Sequence, residues 1–210
     1  MDENGSMNRK SIVLMMTVVI QLALISSAAP IVFKKFDTNH STIGFHVPIL
    51  GGMSEVTGKF TEFTAELTYD ESYLAASHVT VTIHAASVDT GIADRDKHLR
   101  TKDFFDVERF PDITFQSSAI RKASDGFVAH GTLTMHGVSK EIDLPFRVTG
   151  TMRNAEKKTI EIGIATQAHL NRQDYGVAWK HPAEPTFVGD DVTVDIHLLT
   201  KVTPVEAPPG

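Results

Sequence analysis

The sequence predicts an all-β fold, a single antiparallel up-and-down barrel of about eight strands with one short helix. Apolar and polar residues alternate with a period of two through most of the chain, which is the pattern of half-buried strands. Short turn sequences separate these runs, so the connections are local. About eight locally connected strands favour a barrel, whose interior at that number can hold one ligand. A two-sheet sandwich is the alternative architecture.

Each predicted strand is a run with one apolar and one polar face. The clearest run has Val79, Val81 and Ile83 on one parity, between His78 and His84 on the other. The remaining runs carry their apolar residues at Ile43, Phe45, Val47; Phe63, Ala65, Leu67; Ile113, Phe115; Leu133, Met135; Ile142, Leu144, Phe146, Val148; Ile160, Ile162, Ile164; and Val192, Val194, Ile196, Leu198.

Turn-forming residues indicate where the strands end. The first two strands are predicted to be long, from about Phe33 to Val47 and from Ser54 to Tyr69, which suits a barrel. The segment from Asn171 to Asp190 contains Pro182 and Pro185 and is predicted to be a loop. Turns are expected at Gly51-Gly52, Asp70-Glu71-Ser72, Ser124-Asp125-Gly126, His136-Gly137 and Arg153-Asn154.

One short helix is predicted near residues 93–101, where charged residues surround the apolar Leu99. Phe104 and Phe105 follow and would anchor the end of the helix in the body of the domain. Pro111 prevents any continuation, and the period then changes from helical to strand-like.

Residues 1–28 are predicted to be a cleaved signal peptide, which implies a periplasmic protein. A basic start at Met7–Lys10 precedes an apolar run, Ile12–Ile25, and small residues that suit cleavage after Ala28. A transmembrane anchor is the alternative, but the run is shorter than the ~20 residues of a membrane span. Met7 would serve as well as Met1 as the initiator. We expect one domain at 29–203 and a disordered tail at 204–210.

Composition excludes several classes of function. The chain has no cysteine, so disulfides, thiolate metal sites, cysteine nucleophiles and lipid attachment at a cysteine are excluded. The formal net charge is −6, and the basic residues form no run longer than two. Nucleic acid is therefore not an expected partner, because binding of phosphate backbones needs clustered Lys and Arg. No cofactor is expected, and no stable membrane insertion after signal cleavage.

The ten histidines do not form a convincing metal site. His78 and His84 share a strand and a face, but six residues of strand separate them by ~20 Å. His130 and His136 have the same spacing. Eight histidines fall on the polar parity and are predicted to face solvent or loops: His40, His46, His78, His84, His130, His136, His169 and His197.

Several segments, in order, resemble the YceI-like family of periplasmic, lipocalin-like, polyisoprenoid-binding barrels. The longest is Arg95–Phe115, RDKHLRTKDFFDVERFPDITF. The others are Asp37-x-x-His-Ser-x-Ile-x-Phe, Val56-x-Gly-x-Phe-x-x-Phe, Ser87-Val-Asp-Thr-Gly, Gly131-Thr-Leu-Thr-Met-His-Gly-Val-Ser-Lys and Asn171-Arg-Gln-Asp-Tyr-Gly. Together they extend from about Phe36 to Thr200. The segment from Pro48 to Met53 departs from the family's usual turn, which puts the local geometry there in doubt.

The resemblance implies a long apolar cavity that holds a polyisoprenoid, quinone-like or fatty-chain lipid. The residues on the inward face of the predicted strands are apolar, as such a cavity requires, and Ala129 and Gly131 are expected to leave space inside the barrel. A filled core is the alternative. The expected ligand-binding residues are Ile43, Phe45, Val79, Val81, Ile83, Ile113, Phe115, Leu133, Met135, Phe146, Ile160, Ile162, Ile164, Arg172, Tyr175 and Trp179.

Two polar groups have a structural and a functional interpretation. Arg172, Tyr175 and Trp179 either anchor their loop or form a rim that meets the head group of a lipid, with Arg172 as the partner of a phosphate or carboxylate. His98, with Asp103 and Asp106 nearby, either belongs to a structural network or to a lipid-modifying enzyme.

The sequence contains no G-x-S-x-G motif, so no serine nucleophile is recognised and no catalytic residue is assigned. A lipid carrier is therefore the expected function. The enzyme at His98 and an accessory factor of a membrane redox or stress system are the alternatives. The sequence leaves open whether two barrels pair as a homodimer.

Overall fold

The alternating runs form antiparallel strands of one continuous sheet. The computed structural model describes residues 31–34, 36–70 and 73–202; residues 1–28 and 204–210, predicted as signal peptide and tail, lie outside them. The described elements are β1 (Ile31–Phe33), β2 (Thr42–Ile49), β3 (Ser54–Phe60), β4 (Phe63–Tyr69), β5 (His78–His84), β6 (Val88–Asp89), α1 (Ala93–Leu99), β7 (Asp112–Ala123), β8 (Gly126–Met135), β9 (Val138–Asn154), β10 (Thr159–Asn171) and β11 (Asp191–Val202).

One bent strand lets the sheet curl back on itself. The strands lie in the order β1-β4-β5-β7-β8-β9-β10-β11-β2-β3-β6, so β4 and β3 are at opposite ends once the short β1 and β6 are set aside. Only Thr61 and Glu62 separate β3 from β4 in the chain. The chain therefore passes from one end of the sheet to the other without a hairpin. The sheet has eleven described strands, more than the about eight predicted; with β1 and β6 set aside and β3 and β4 counted as one bent strand, the barrel has eight strand positions.

A second bend lies on the opposite side of the barrel, in β9. Residues 138–146 of β9 pair with β8, and residues 147–154 pair with β10. Two β-bulges accompany this curvature, between Ser117 and Ala119 and between Gly163 and Ile164. Bulges increase local twist and bend the strand that carries them. The long strand and the bulges thus turn a flat pleated surface into a curled one.

The prediction of one long first strand is wrong. The chain forms β1 and β2 instead, because Asp37 begins a turn between them: its carboxylate accepts from the Asn39 amide at 3.0 Å and contacts His40 Nδ1 at 2.8 Å. An aspartate side chain that bonds the backbone two residues on is typical of such turns. After β1 pairs with β4, the chain crosses to β11 through a bridge from Phe36 to Thr200.

The predicted second strand, 54–69, is interrupted only at its bend. There the Thr61 amide donates to the Ser87 carbonyl at 3.1 Å, and the Glu62 amide donates to Ser87 Oγ at 3.0 Å. Backbone donors that would be lost to the sheet at the bend are thereby satisfied.

The predicted helix is present, and so are the turns at Gly51-Gly52, Ser124-Asp125-Gly126 and His136-Gly137. The turn predicted at Arg153-Asn154 is wrong: both residues end β9 and the turn follows at 155–158, where Asn154 Oδ1 accepts from the Lys157 amide at 2.8 Å. Glu71 and Ser72 of the remaining predicted turn lie outside the described residues.

α1 lies within the predicted 93–101 segment, and the long loop from Asn171 to Asp190 carries only a short 3-10 turn at Arg172–Tyr175. His136 and Gly137 both have positive φ, 52° and 75°, as a two-residue hairpin between β8 and β9 requires. No helix within the described ranges is long and apolar enough to cross a membrane.

Gly131 is required for close packing of β8 on the bulge of β7, not for space inside the barrel. A Cβ at Gly131 would lie 2.3 Å from the Gln116 carbonyl oxygen and 2.5 Å from Ser117 Cα. The expectation that Gly131 opens the interior is therefore wrong, since its missing side chain makes room for neighbouring backbone.

We expect Gly131→Ala to lower the free energy of unfolding by about 1–3 kcal/mol, because backbone has to shift to accept the methyl group. Gly150→Ala is the matched control, since a Cβ at this other strand glycine meets nothing within 4 Å. Its free energy of unfolding should change by less than ~0.5 kcal/mol. Urea denaturation measures both, and equal effects of the two changes would contradict the packing argument.

Candidate functional site

A cavity of about 330 Å³ lies inside the barrel. Strand residues of inward parity form most of its wall, and α1 with the loop after β10 covers one end. The lining strand residues are Ile43, Gly44, Phe45, Val47, Ile49, Val56, Phe60, Val81, Ile83, Ile113, Phe115, Leu133, Met135, Ile142, Leu144, Ala168, Leu170, Val192, Val194 and Ile196. The covering residues are Arg95, His98, Leu99, Phe104, Phe105, Arg172, Val177, Trp179, Phe187 and Val188.

Ten of the sixteen residues expected from the sequence line this cavity. They are Ile43, Phe45, Val81, Ile83, Ile113, Phe115, Leu133, Met135, Arg172 and Trp179. The other six do not: Val79, Phe146, Ile160, Ile162, Ile164 and Tyr175. Ala129, expected to leave space there, is buried in the core and is also absent from the lining.

The six residues outside the cavity pack elsewhere in the core. Phe146 stacks on Phe127 with ring centroids 5.3 Å apart, and Ile160 and Tyr175 are buried, Tyr175 to 2% exposure. Val79, Ile162 and Ile164 pack partly buried against the core. Parity identifies the inward face of a strand but not the level along the barrel, and these residues lie where side chains fill the interior.

Residues that cover one end of the cavity were missed by the sequence reasoning as lining groups. Leu99, Phe104 and Phe105 come from α1 and the turn after it, and Phe187 and Val188 come from the long loop. For Phe104 and Phe105 the sequence offered one indication, since the pair was expected to anchor the end of the helix in the domain. The loop residues gave none, because their position depends on an isolated bridge from Ile49 to Val188 and on Leu50 N donating to the Phe187 carbonyl at 2.9 Å.

Arg172 holds the covering loop together. Its side chain is 6% exposed, and its guanidinium makes five hydrogen bonds at 2.7–3.2 Å, to the carbonyls of Gly189, Val177, Trp179 and Val188 and to Asp190 Oδ1. An arginine side chain has five N–H donors, so all are used. Burial lowers the pKa of the Arg172 guanidinium from its ordinary value, and the Asp190 carboxylate opposes that shift. The loop-anchoring interpretation therefore describes this residue.

Tyr175 and Trp179 contribute to the same covering layer in different ways. Tyr175 is buried in the core, and burial raises the pKa of its hydroxyl, with a smaller contribution from Asp174. Trp179 lines the cavity, and its ring lies 5.2 Å from both the Phe104 and the His98 rings.

His98 lies at the covered end of the cavity with one side on a carboxylate. Its Nε2 is 2.9 Å from Asp103 Oδ2, while Asp106 instead pairs with Arg109 at 3.3 Å. The edge of the imidazole meets Phe104 and Trp179 at interplanar angles of 87° and 86°. The ring is thus fixed in orientation by one hydrogen bond and two aromatic neighbours.

Arg95 is held beside the cavity by a chain of hydrogen bonds. The Thr90 hydroxyl and amide donate to the buried Asp96 at 2.5 and 2.9 Å. Because that hydroxyl donates its proton to Asp96, its oxygen is available to accept from Arg95 Nε at 2.7 Å. Arg95 Nη2 donates to the Thr90 carbonyl at 2.9 Å. The guanidinium is therefore oriented before any ligand enters.

The remaining strand histidines lie on the outside of the barrel, and none of the eight named from parity lines the cavity. Several pair with carboxylates: His84 with Asp112 at 2.7 Å, and His130 with Asp143 at 2.9 Å. Across the described ranges, no three His, Asp or Glu side chains converge as a metal site would need.

A second cleft of about 350 Å³ on the barrel is polar and more open. It is lined by Asp125, Pro145, Phe146, Arg147, Ala165, Thr166, Gln167, Asp195 and His197. Its Asp195 carboxylate already accepts from Gln167 Nε2 at 2.8 Å and lies 3.1 Å from His46 Nε2. The apolar cavity inside the barrel, which is less open, is therefore the better candidate for a binding site.

Comparison with known proteins gives the family. The model of the YceI-like domain matches residues 35–199. The chain belongs to the YceI-like family. A curated relative, a UPF0312 protein of Yersinia enterocolitica, is 42% identical over 111 residues, which are 53% of this chain and 57% of that protein. The match thus spans little more than half the length of that relative.

Solved structures of the family share this fold. BcnA of Burkholderia cenocepacia superposes with a TM-score of 0.67 at 25% identity, covering 79% of this chain and 99% of BcnA. The YceI protein of Campylobacter jejuni gives 0.60 at 28% identity, over 72% and 88% of the two chains. A polyisoprenoid binding domain from Saccharophagus degradans gives 0.59 at 18% identity, over 82% and 99%. The predicted barrel class is thereby confirmed.

We expect Arg172→Gln to lower the free energy of unfolding by about 3 kcal/mol or more, because several buried carbonyls and Asp190 lose their donor. Arg121→Gln is the control, since its ion pair with Asp143 is more than half exposed on both sides. The control should cost at most ~1 kcal/mol. Urea denaturation compares them, and a stable Arg172→Gln protein would contradict the anchoring role.

Proposed function

We propose that this protein binds one long-chain apolar lipid, a polyisoprenoid, quinone-like or fatty chain, inside its barrel and carries or sequesters it in the periplasm. The single observation that carries the proposal is the cavity of about 330 Å³ inside the barrel, with an almost wholly apolar wall. Ligand sites are typically ~300–1,000 Å³, so the space suits one narrow chain. The Saccharophagus degradans domain, described as polyisoprenoid binding, shares this fold.

The energetics support binding through the chain alone. Burial of an alkyl chain contributes ~0.8 kcal/mol per CH₂, so about 16 carbons contribute ~12 kcal/mol. Losses of motion on association oppose this by ~4–15 kcal/mol. The balance allows micromolar or tighter binding without a strong polar anchor.

The chemistry of the lining favours binding over catalysis. Among the described residues that line the cavity there is no Ser, Thr, Tyr, Asp, Glu or Lys. His98 and Asp103 could serve as the base and the carboxylate of a catalytic triad. The described cavity wall, however, offers no hydroxyl or carboxylate nucleophile for them to activate. A histidine held this way suits orientation of a ligand better than turnover.

We expect the exported protein to release about one long-chain lipid per chain when native mass spectrometry is followed by solvent extraction. Ala168→Phe should lower the bound lipid at least tenfold, because Ala168 lines the cavity and the added ring occupies it. Ala123→Phe is the control, since Ala123 is exposed at the end of β7. Equal lipid in all three proteins, or none in the unmodified one, would contradict the proposal.

Export has its own test. In a bacterial host with two membranes, the full chain should appear in the osmotic-shock fraction with a mass that corresponds to loss of residues 1–28. Leu22→Arg should keep the uncleaved chain in the cytoplasm, because a charge interrupts the apolar run. Release of an uncleaved chain, or cleavage of the variant, would contradict the periplasmic assignment.

A further inference from the structure

The polar groups of the cavity wall are confined to its covered end. Only four of the lining residues carry a side-chain nitrogen: Arg95, His98, Arg172 and Trp179. The His98 and Trp179 ring centroids are 5.2 Å apart, and Arg172 Nη1 donates to the Trp179 carbonyl at 3.1 Å. Arg95 and His98 are three residues apart on α1 and therefore neighbours on one helix face. The cavity thus has a long apolar body and one polar end.

Two of these groups have capacity left for a ligand. All five N–H donors of Arg172 are used within the loop. Arg95 uses Nε and Nη2 on Thr90, whereas its Nη1 donates to no other described residue. His98 uses Nε2 on Asp103 and has no protein partner at Nδ1 among the described residues. In the neutral imidazole, donation from Nε2 to Asp103 leaves Nδ1 as an acceptor, so the free donors on α1 are those of Arg95.

The charge of Arg95 is also unmatched. No carboxylate of the described chain lies within ion-pair distance of its guanidinium, and the adjacent Asp96 accepts from Thr90 instead. The cavity wall itself contains no acidic side chain. A partly buried cation beside apolar surface is stabilised by an anion that can reach it.

We propose that Arg95 binds an acidic oxygen head group, a carboxylate or phosphate, of the lipid whose chain fills the barrel. This inference rests on the proposed function and adds the chemistry of the head. The Thr90–Asp96 chain orients the guanidinium so that Nη1 is the donor that meets the head group. The protein accordingly selects acidic long-chain lipids over neutral ones of the same length.

The fluorescence of Trp179 can report ligand binding, because Trp179 is the only tryptophan in the sequence and it lines the cavity. Its fluorescence is followed on titration with hexadecanoate and hexadecan-1-ol, which share a chain and differ in the head. The unmodified protein should bind the acid at least about tenfold more tightly, the effect of one charge-assisted hydrogen bond. Geranylgeranyl phosphate and geranylgeraniol form a second pair, and the pair that shows the preference identifies the head as carboxylate or phosphate.

Arg95→Gln should bring the dissociation constants of acid and alcohol to within about twofold, because the affinity for the acid falls. Lys97→Gln is the control, because it removes one charge from an exposed position of the same helix outside the cavity wall. It should keep the full preference. Arg95→Lys retains the charge without the planar guanidinium and should keep part of the preference for the acid. This variant provides the test if the Arg95→Gln protein does not fold.

The outcomes separate the two proposals. Binding of acid and alcohol alike in the unmodified protein, or a preference that survives Arg95→Gln, overturns the head-group inference and leaves lipid binding intact. If Lys97→Gln loses the preference for the acid as fully as Arg95→Gln does, the head-group inference is also overturned. The preference would then come from the overall charge of the helix and not from a contact with Arg95. Binding of no lipid by the unmodified protein overturns the proposed function and this inference with it.

Discussion

Closure of the sheet through one bent strand is the constraint on which the rest of the structure depends. β3 and β4 lie at opposite ends of the strand order, yet two residues join them, so the sheet has to curl until its ends meet. The bend is possible because Ser87 satisfies the backbone donors of Thr61 and Glu62. With eight strand positions, the inward side chains enclose a space that they do not fill at every level.

The covered end depends on a different kind of support. Loops cannot bury their backbone without partners for its carbonyls, and the single guanidinium of Arg172 supplies donors to four of them. Opposite it, α1 is tied down by Asp96, Thr90 and the two phenylalanines that follow the helix. The buried cation Arg172 therefore serves the fold, whereas the partly buried Arg95 lines the cavity.

For the proposed lipid ligand, the two parts of the site would have separate roles: the apolar wall would provide capacity and the covered end selectivity. Apolar walls bind by area and do not distinguish one chain from another of similar width. Discrimination has to come from a few oriented polar groups, which in this protein lie at one end and belong to a helix fixed by its own hydrogen bonds.

The sequence by itself determined the barrel class, the helix, the inward parity and ten of the thirty described residues that line the cavity, because a period of two fixes which face of a strand is buried. It also named His98 and Asp103 as neighbours, since they are five residues apart. Tertiary structure alone decided which inward residues line open space and which fill the core, as with Phe115 against Ile162. It also decided the roles of two arginines that look alike in sequence. The backbone of the covering loop and Asp190 use all five N–H donors of Arg172, whereas Thr90 accepts from only two of the five donors of Arg95. No sequence pattern records that difference.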